Sequence, residues 1–191
     1  MRKSLTQTEL LTRVASEKEY LLSRLCQSRE RYLQTVSGVP GELSRVRPGD
    51  GAWSVLDCAE HVAIAEQLMF RSVEKRRPTA ASPDVAKDAL IQTVGLDRTH
   101  KFSAPEPARP AGRYATLEEA VVAFRAAREV TISFVNQANE DLRASTAMHP
   151  IAGLIDAYQE LLLMALHCER HAAQIEEISR HWGNQQRIAE R

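Results

Sequence analysis

His167 and His171 lie four residues apart in a stretch whose apolar residues repeat with a helical period, so their imidazoles project from one face. That spacing brings two ring nitrogens within reach of one ion, with further ligands needed from elsewhere in the fold. His61 is the outside candidate. It follows Ser54 by seven residues and is flanked by Ala59, Val62, Ala63 and Ala65, a small-residue setting that lets a neighbouring helix approach closely. Three neutral ligands would leave coordination positions open on the ion, which makes such a site Lewis acidic. The alternative for His61 is a hydrogen-bonded core histidine, and for the pair a chance spacing on a helix. His100, His149 and His181 fall in a linker, at the start of a helix and at a helix end, where solvated or dipole-related roles are expected.

Several neighbouring chemistries lack their residues. A bundle di-iron site uses Glu-x-x-His pairs, whereas Cys58, Met164 and Cys168 stand three before the histidines. The helical zinc-protease motif places glutamate directly after its first histidine; here Cys168 follows His167, and Glu169 points away from the pair as a surface or supporting group. Cys58 or Cys168 could approach the ion as a fourth ligand, but burial as a small apolar residue is the favoured reading of both. Trp53 reads as a staple packed before the Ser54 cap, and Glu60 as one possible acid or base.

Four helices must position these groups. The first opens on a Thr6–Glu9 capping box, continues through Leu10, Val14, Leu21, Leu25, Tyr32 and Val36, and stops at Gly38-Val39-Pro40-Gly41. In the second, Ser54 caps and Asp57 favours the first-turn amides; it runs to about Arg77. Pro78, Pro83, Pro105, Pro107 and Pro110 make residues 78 to 115 a long connection with room for one short helix over 85 to 94. A Thr116–Glu119 capping box starts the third helix, which ends near Asn139. Pro150 suits the first turn of the fourth, which runs to about Trp182 and stops at Gly183. No strand-like alternation competes, so the fold class is all-α.

The depths of the histidines constrain the topology. At about 1.5 Å per residue His61 lies roughly 10 Å below the start of its helix, and His171 roughly 16 Å before Trp182. The two reach similar depths only if the second and fourth helices are antiparallel. An up-down-down-up four-helix bundle with its long crossover between helices 2 and 3 satisfies this; a simple up-and-down bundle does not.

The 191 residues suit one domain spanning the chain. Lysine plus arginine equals aspartate plus glutamate at 25 each, which argues against a nucleic acid or anionic membrane partner. The start, Met1-Arg2-Lys3-Ser4, leads into no apolar signal core, and no spanning segment is present, so a cytoplasmic location is expected. Cys26, Cys58 and Cys168 lack framework spacing and fit reduced thiols.

The segment Trp53-Ser54-Val55-Leu56-Asp57-Cys58-Ala59-Glu60-His61-Val62 resembles the way the DinB-like superfamily, which includes bacillithiol transferases and mycothiol-dependent enzymes, begins its second helix and supplies its first histidine ligand. His149-Pro150-Ile151-Ala152-Gly153 resembles the start of its last helix, and His167-Cys168-Glu169-Arg170-His171-Ala172-Ala173-Gln174-Ile175 its closing His-x-x-x-His-x-x-Gln-Ile. The resemblance implies an up-down-down-up bundle, a three-histidine site for nickel or zinc at His61, His167 and His171, and frequent homodimers. It also implies a transferase that activates a low-molecular-weight thiol cosubstrate for attack on a small-molecule electrophile. Metal-dependent hydrolysis and a noncatalytic metal-binding bundle remain open. The cysteines beside the histidines and the proline-rich connection depart from the family pattern.

Overall fold

In the computed structural model of the chain, residues 6–79 and 84–189 are described, and Met1–Ser4 and Pro83 lie outside them. Four long helices form the bundle: α1 (Gln7–Ser37), α2 (Val55–Glu74), α4 (Leu117–Gln137) and α5 (Ala157–Ala189). A shorter α3 (Ala86–Leu96) occupies part of the connection between α2 and α4. No helix among the described residues is long and apolar enough to cross a membrane.

Side-chain pairing gives the helix directions. Tyr32 meets Phe124 at 4.7 Å between ring centroids, Arg29 pairs with Glu129, and Arg13 reaches Asp141, so α1 and α4 run antiparallel. Arg24 pairs with Glu169 and Arg31 with Glu176, so α1 and α5 run parallel. Glu66 meets Arg128 and Phe70 meets Phe134, which makes α2 parallel to α4 and therefore antiparallel to α5.

The helix starts follow their local chemistry. The amide of Glu9 donates to Thr6 Oγ1 at 3.3 Å while the Glu9 carboxylate accepts from the Thr6 amide at 2.8 Å, a reciprocal box that satisfies two exposed donors. Ser54 and Asp57 form the same box at 3.1 and 2.9 Å. At α4 the box is shifted: Thr116 accepts from the Glu119 amide, but the Glu119 carboxylate turns to the Ala115 amide at 2.7 Å.

Three expectations are corrected. The last bundle helix starts at Ala157 instead of Pro150, because residues 145–156 form a hairpin of β2 (Ser145–His149) and β3 (Gly153–Asp156), with β1 (Arg77–Pro78) added at the β2 edge. The expectation of no strands therefore fails. Pro150 lies in the turn, and Gly153, at φ +71°, adopts the left-handed conformation that glycine reaches without strain. The cap of α5 is Asp156, which exchanges hydrogen bonds with Gln159 at 2.8 and 3.1 Å. Gly183 does not stop α5, which continues to Ala189; a glycine weakens a helix by about 1 kcal/mol without removing its hydrogen bonds.

The core divides into two apolar regions, one around Leu21, Leu25, Phe70 and Leu161, the other around Tyr32, Val62, Phe124 and Ile175. Arg128, fully buried, lies among the helices. It donates to both Glu66 oxygens at 2.7 and 2.8 Å, to the Leu25 carbonyl at 2.9 Å and to Ser28 Oγ at 2.8 Å, while Thr131 donates to Glu66 at 3.1 Å. With a further hydrogen bond from Arg128 to the Met164 carbonyl at 3.3 Å, this buried charge pair ties all four bundle helices together. On the other side, α3 packs directly on α5: a Cβ placed on Gly95 would lie 2.9 Å from Leu166 Cβ.

Candidate metal centre

The Ser54 cap fixes the start of α2 and so the depth of His61, while α5 presents His167 and His171 one turn apart from the antiparallel direction. The structure brings the three together. His61 Nε2 is 3.0 Å from His167 Nε2, and His171 Nε2 is 3.1 Å from the same atom. The candidate ligand atoms of all three residues lie within 4.8 Å of one another. His61 and His171 are buried and His167 is partly buried.

The His61 ring is oriented by backbone. Its Nδ1 is 2.7 Å from the carbonyl oxygen of Ala108, which can only accept, so Nδ1 carries the hydrogen and Nε2 presents its lone pair to the other two rings. Ala108 belongs to a 3₁₀ turn, Glu106–Ala108, in the connection. Trp53 lies against the cluster, with its ring 4.9 Å from that of His61 and 6.2 Å from that of His171. The staple reading of Trp53 is thereby extended: it also walls the histidines.

Burial lowers the pKa of His61, an effect the Ala108 carbonyl partly offsets. Burial pushes His167 and His171 well below the ordinary imidazole range, and repulsion from the other histidines adds to it. Three nitrogens this close therefore resist sharing their space through protonation. Imidazole binds zinc at about 2.0–2.1 Å, so nitrogens about 3 Å apart can share one ion. The neutral, lone-pair donor set fits a divalent metal ion.

The cysteines stay apart from this cluster. Cys168 donates to the Ser28 carbonyl at 3.4 Å, and both Cys58 and Cys168 are buried in the apolar region with Tyr32 and Phe124. Burial raises the Cys58 thiol and pushes Cys168 up to about 12. Neither supplies a fourth ligand to the cluster, which consists of the three histidines. Glu60 is also excluded as an acid or base. Its carboxylate accepts from the amides of Ala111, Gly112 and Arg113 at 2.6, 3.0 and 3.0 Å and from the Arg113 guanidinium at 3.0 Å. It clamps the connection instead. Glu169 pairs with Arg24 at 2.8 Å on the far side of α5.

His100 is a linker residue, 2.6 Å from Asp97. His149 sits in the hairpin, its Nδ1 accepting from the amides of Ile151 and Ala152 at 3.2 and 3.0 Å, rather than at a helix start. His149 and His181 do, however, line the cleft onto which the three-histidine cluster opens. This cleft has a volume of about 1410 Å³. Pro105, Pro107 and Pro110 of the connection line it, as do Leu90, Val94 and Met148. Two cleft-lining carboxylates, Glu160 and Glu177, were not singled out from the sequence; Glu177 pairs with Arg98 at 2.7 Å. An acidic residue on an amphipathic helix ordinarily reads as solvated, so neither gave a signal.

Three solved structures share the architecture. YfiT from Bacillus subtilis, described as a probable metal-dependent hydrolase with an unusual four-helix bundle topology, superposes with a TM-score of 0.58 at 17% identity, covering 96% of this chain and 93% of its own. The four-helix bundle protein TT2238 gives 0.54 at 20% identity over 84% of this chain and 98% of its own. A conserved protein from Enterococcus faecalis gives 0.58 at 15% identity over 85% and 95%. No curated protein matches the sequence at a significant level. The family model described as the DinB superfamily matches residues 24–175.

Proposed function

Because this chain belongs to the DinB superfamily, we propose that His61, His167 and His171 hold one divalent ion, nickel or zinc, and that the protein is a transferase acting on a low-molecular-weight thiol and an electrophile. The observation that carries this reading is the cluster itself: three nitrogen ligand atoms within 4.8 Å, on a cleft large enough for a small-molecule substrate. A cation bound there would favour thiolate over thiol and so supply a nucleophile near neutral pH. The Ala108 carbonyl holds the His61 ring in the ligating tautomer, Trp53 shields the rings from water, and the cleft walls orient the two substrates.

Hydrolysis is the second reading, supported by the description of YfiT. It asks for a general base beside the ion. The cleft carboxylates do not provide one readily: Glu177 is paired with Arg98, and Glu160 lies seven residues, two helical turns, before His167. A thiol is far more acidic than water to begin with, so at the ion it gives its proton to solvent more readily, which favours transfer. A noncatalytic metal-binding role would suit a closed site better than one opening on a cleft.

Elemental analysis of the purified protein beside a His167→Ala, His171→Ala double variant, followed by nickel and zinc titration of both, tests the ion. Near-stoichiometric metal in the parent alone is expected, with thermal stabilisation of about 3 kcal/mol at a hundredfold excess of free metal over the dissociation constant. Equal, negligible metal in both would refute the site. Thiol-dependent consumption of an electrophile by the loaded parent, without hydrolysis of ester substrates, would then separate the two enzyme readings.

A further inference from the structure

Glu160 is 1% exposed, and neither of its carboxylate oxygens has a hydrogen-bond partner. It nevertheless lines the cleft, on the face of α5 that also carries Leu163, His167 and His171. Seven residues separate it from His167, so the two lie about 10 Å apart along the helix axis. Met69, Ile91, Ala152 and Leu163 line the same cleft. Arg76 offsets its charge electrostatically, but its Nε donates to Ser145 Oγ at 3.2 Å, and its buried Nη1, like both carboxylate oxygens, has no hydrogen-bond partner.

A buried carboxylate without a donor is costly, by more than a typical hydrogen bond is worth, and such groups in a cleft await a partner. Burial pushes the carboxyl up to about 7, so it remains ionisable near neutrality. What the carboxylate lacks is a donor, since Arg76 opposes its charge only through space. Four of the five lysines and arginines lining the cleft are engaged elsewhere: Lys87 donates to the Leu154 carbonyl at 2.7 Å, Arg98 to Glu177, Arg109 to the Ala104 carbonyl at 3.0 Å and Arg170 to the His100 carbonyl at 2.5 Å. A ligand ammonium, with three donors on a compact charge, would supply the missing donor where this carboxylate borders the cleft.

We propose that Glu160 is the recognition group for a substrate amine, and that the cleft takes an elongated substrate bearing a primary ammonium about 10 Å from the atom seated at the three histidines. Only the phrase naming that second atom rests on the metal reading; the ammonium subsite stands on Glu160 and the cleft.

The test therefore uses metal-free protein. Hexylamine, hexanol and hexanoate are titrated calorimetrically into the parent and into Glu160→Gln at about pH 8.5, where the carboxylate is ionised and the amine still protonated. Hexylamine should bind the parent about tenfold or more tighter than hexanol, with hexanoate weakest, and Glu160→Gln should erase the preference. The proposal is overturned if hexylamine binds the parent no better than hexanol, if hexanoate binds best, if no probe binds, or if the preference survives in the variant. Metal content of Glu160→Gln, measured in parallel, should equal that of the parent. Loss of metal binding in both proteins alike would count against the three-histidine site and leave the amine result standing.

Discussion

Glu160→Gln should make the protein more stable at alkaline pH and leave it unchanged in acid. The carboxyl is raised from its ordinary 4.5 to about 7, chiefly by burial and against the attraction of Arg76. Between these two values the folded protein binds the proton more tightly than the unfolded chain, so stability falls as pH rises through the window and levels off above it. At about 1.4 kcal/mol for each pH unit, the penalty of holding the charge reaches about 3 kcal/mol near pH 8. Glutamine keeps the shape and resembles the protonated acid, so the variant avoids that penalty. The assay is paired thermal unfolding of parent and variant at pH 5 and pH 8 without added ligand or metal. For a chain of this length the variant should melt roughly 5–10 °C higher at pH 8, with a much smaller gap at pH 5. A gap that is the same at both values, or a parent that gains on the variant as pH rises, would refute the claim that the buried carboxylate lacks a partner.

Arg128→Met should lower stability by about 3–5 kcal/mol by stranding the Glu66 charge, and adding Glu66→Gln should recover part of the loss, read from urea midpoints. In native protein a thiol reagent should label Cys26 first, because Cys58 and Cys168 are buried and their thiols are held protonated, whereas denatured protein should show all three; early labelling of Cys168 would contradict its placement. Gly95→Ala should cost about 1–3 kcal/mol, because its methyl would meet Leu166 at 2.9 Å and push α3 off α5. Unchanged melting of that variant would show that the contact between these helices is loose.

The bundle was legible because its signals are local and repeated. The Thr6 and Ser54 boxes mark helix starts within a residue, and the apolar period of α5 gives its buried face. The histidine trio was legible because helical rise is constant, so depth can be counted from a cap. The hairpin was not, because Ser145–His149 has no apolar alternation and its pairing partners are supplied by residues elsewhere. Pro150 fits a turn as well as a helical first turn, and the competing signal, Asp156 with Gln159 three residues on, is the one the structure uses. Glu160 escaped notice since one acid in a helix carries no mark of its burial. The contact that orients His61 comes from a carbonyl, which no residue type announces.

That carbonyl makes the orientation of the His61 ring depend on main chain. A side chain that holds a histidine can be lost to a single substitution, but the oxygen of Ala108 is present whatever amino acid stands there. What it depends on is spacing. The Glu60 clamp grips the amides of residues 111–113, three to five positions beyond it. An inserted or deleted residue between 108 and 111 would pull the oxygen away from the ring, whereas exchanging the side chain would leave it in place. The site is thereby insulated against point changes in this segment and exposed to changes of its length.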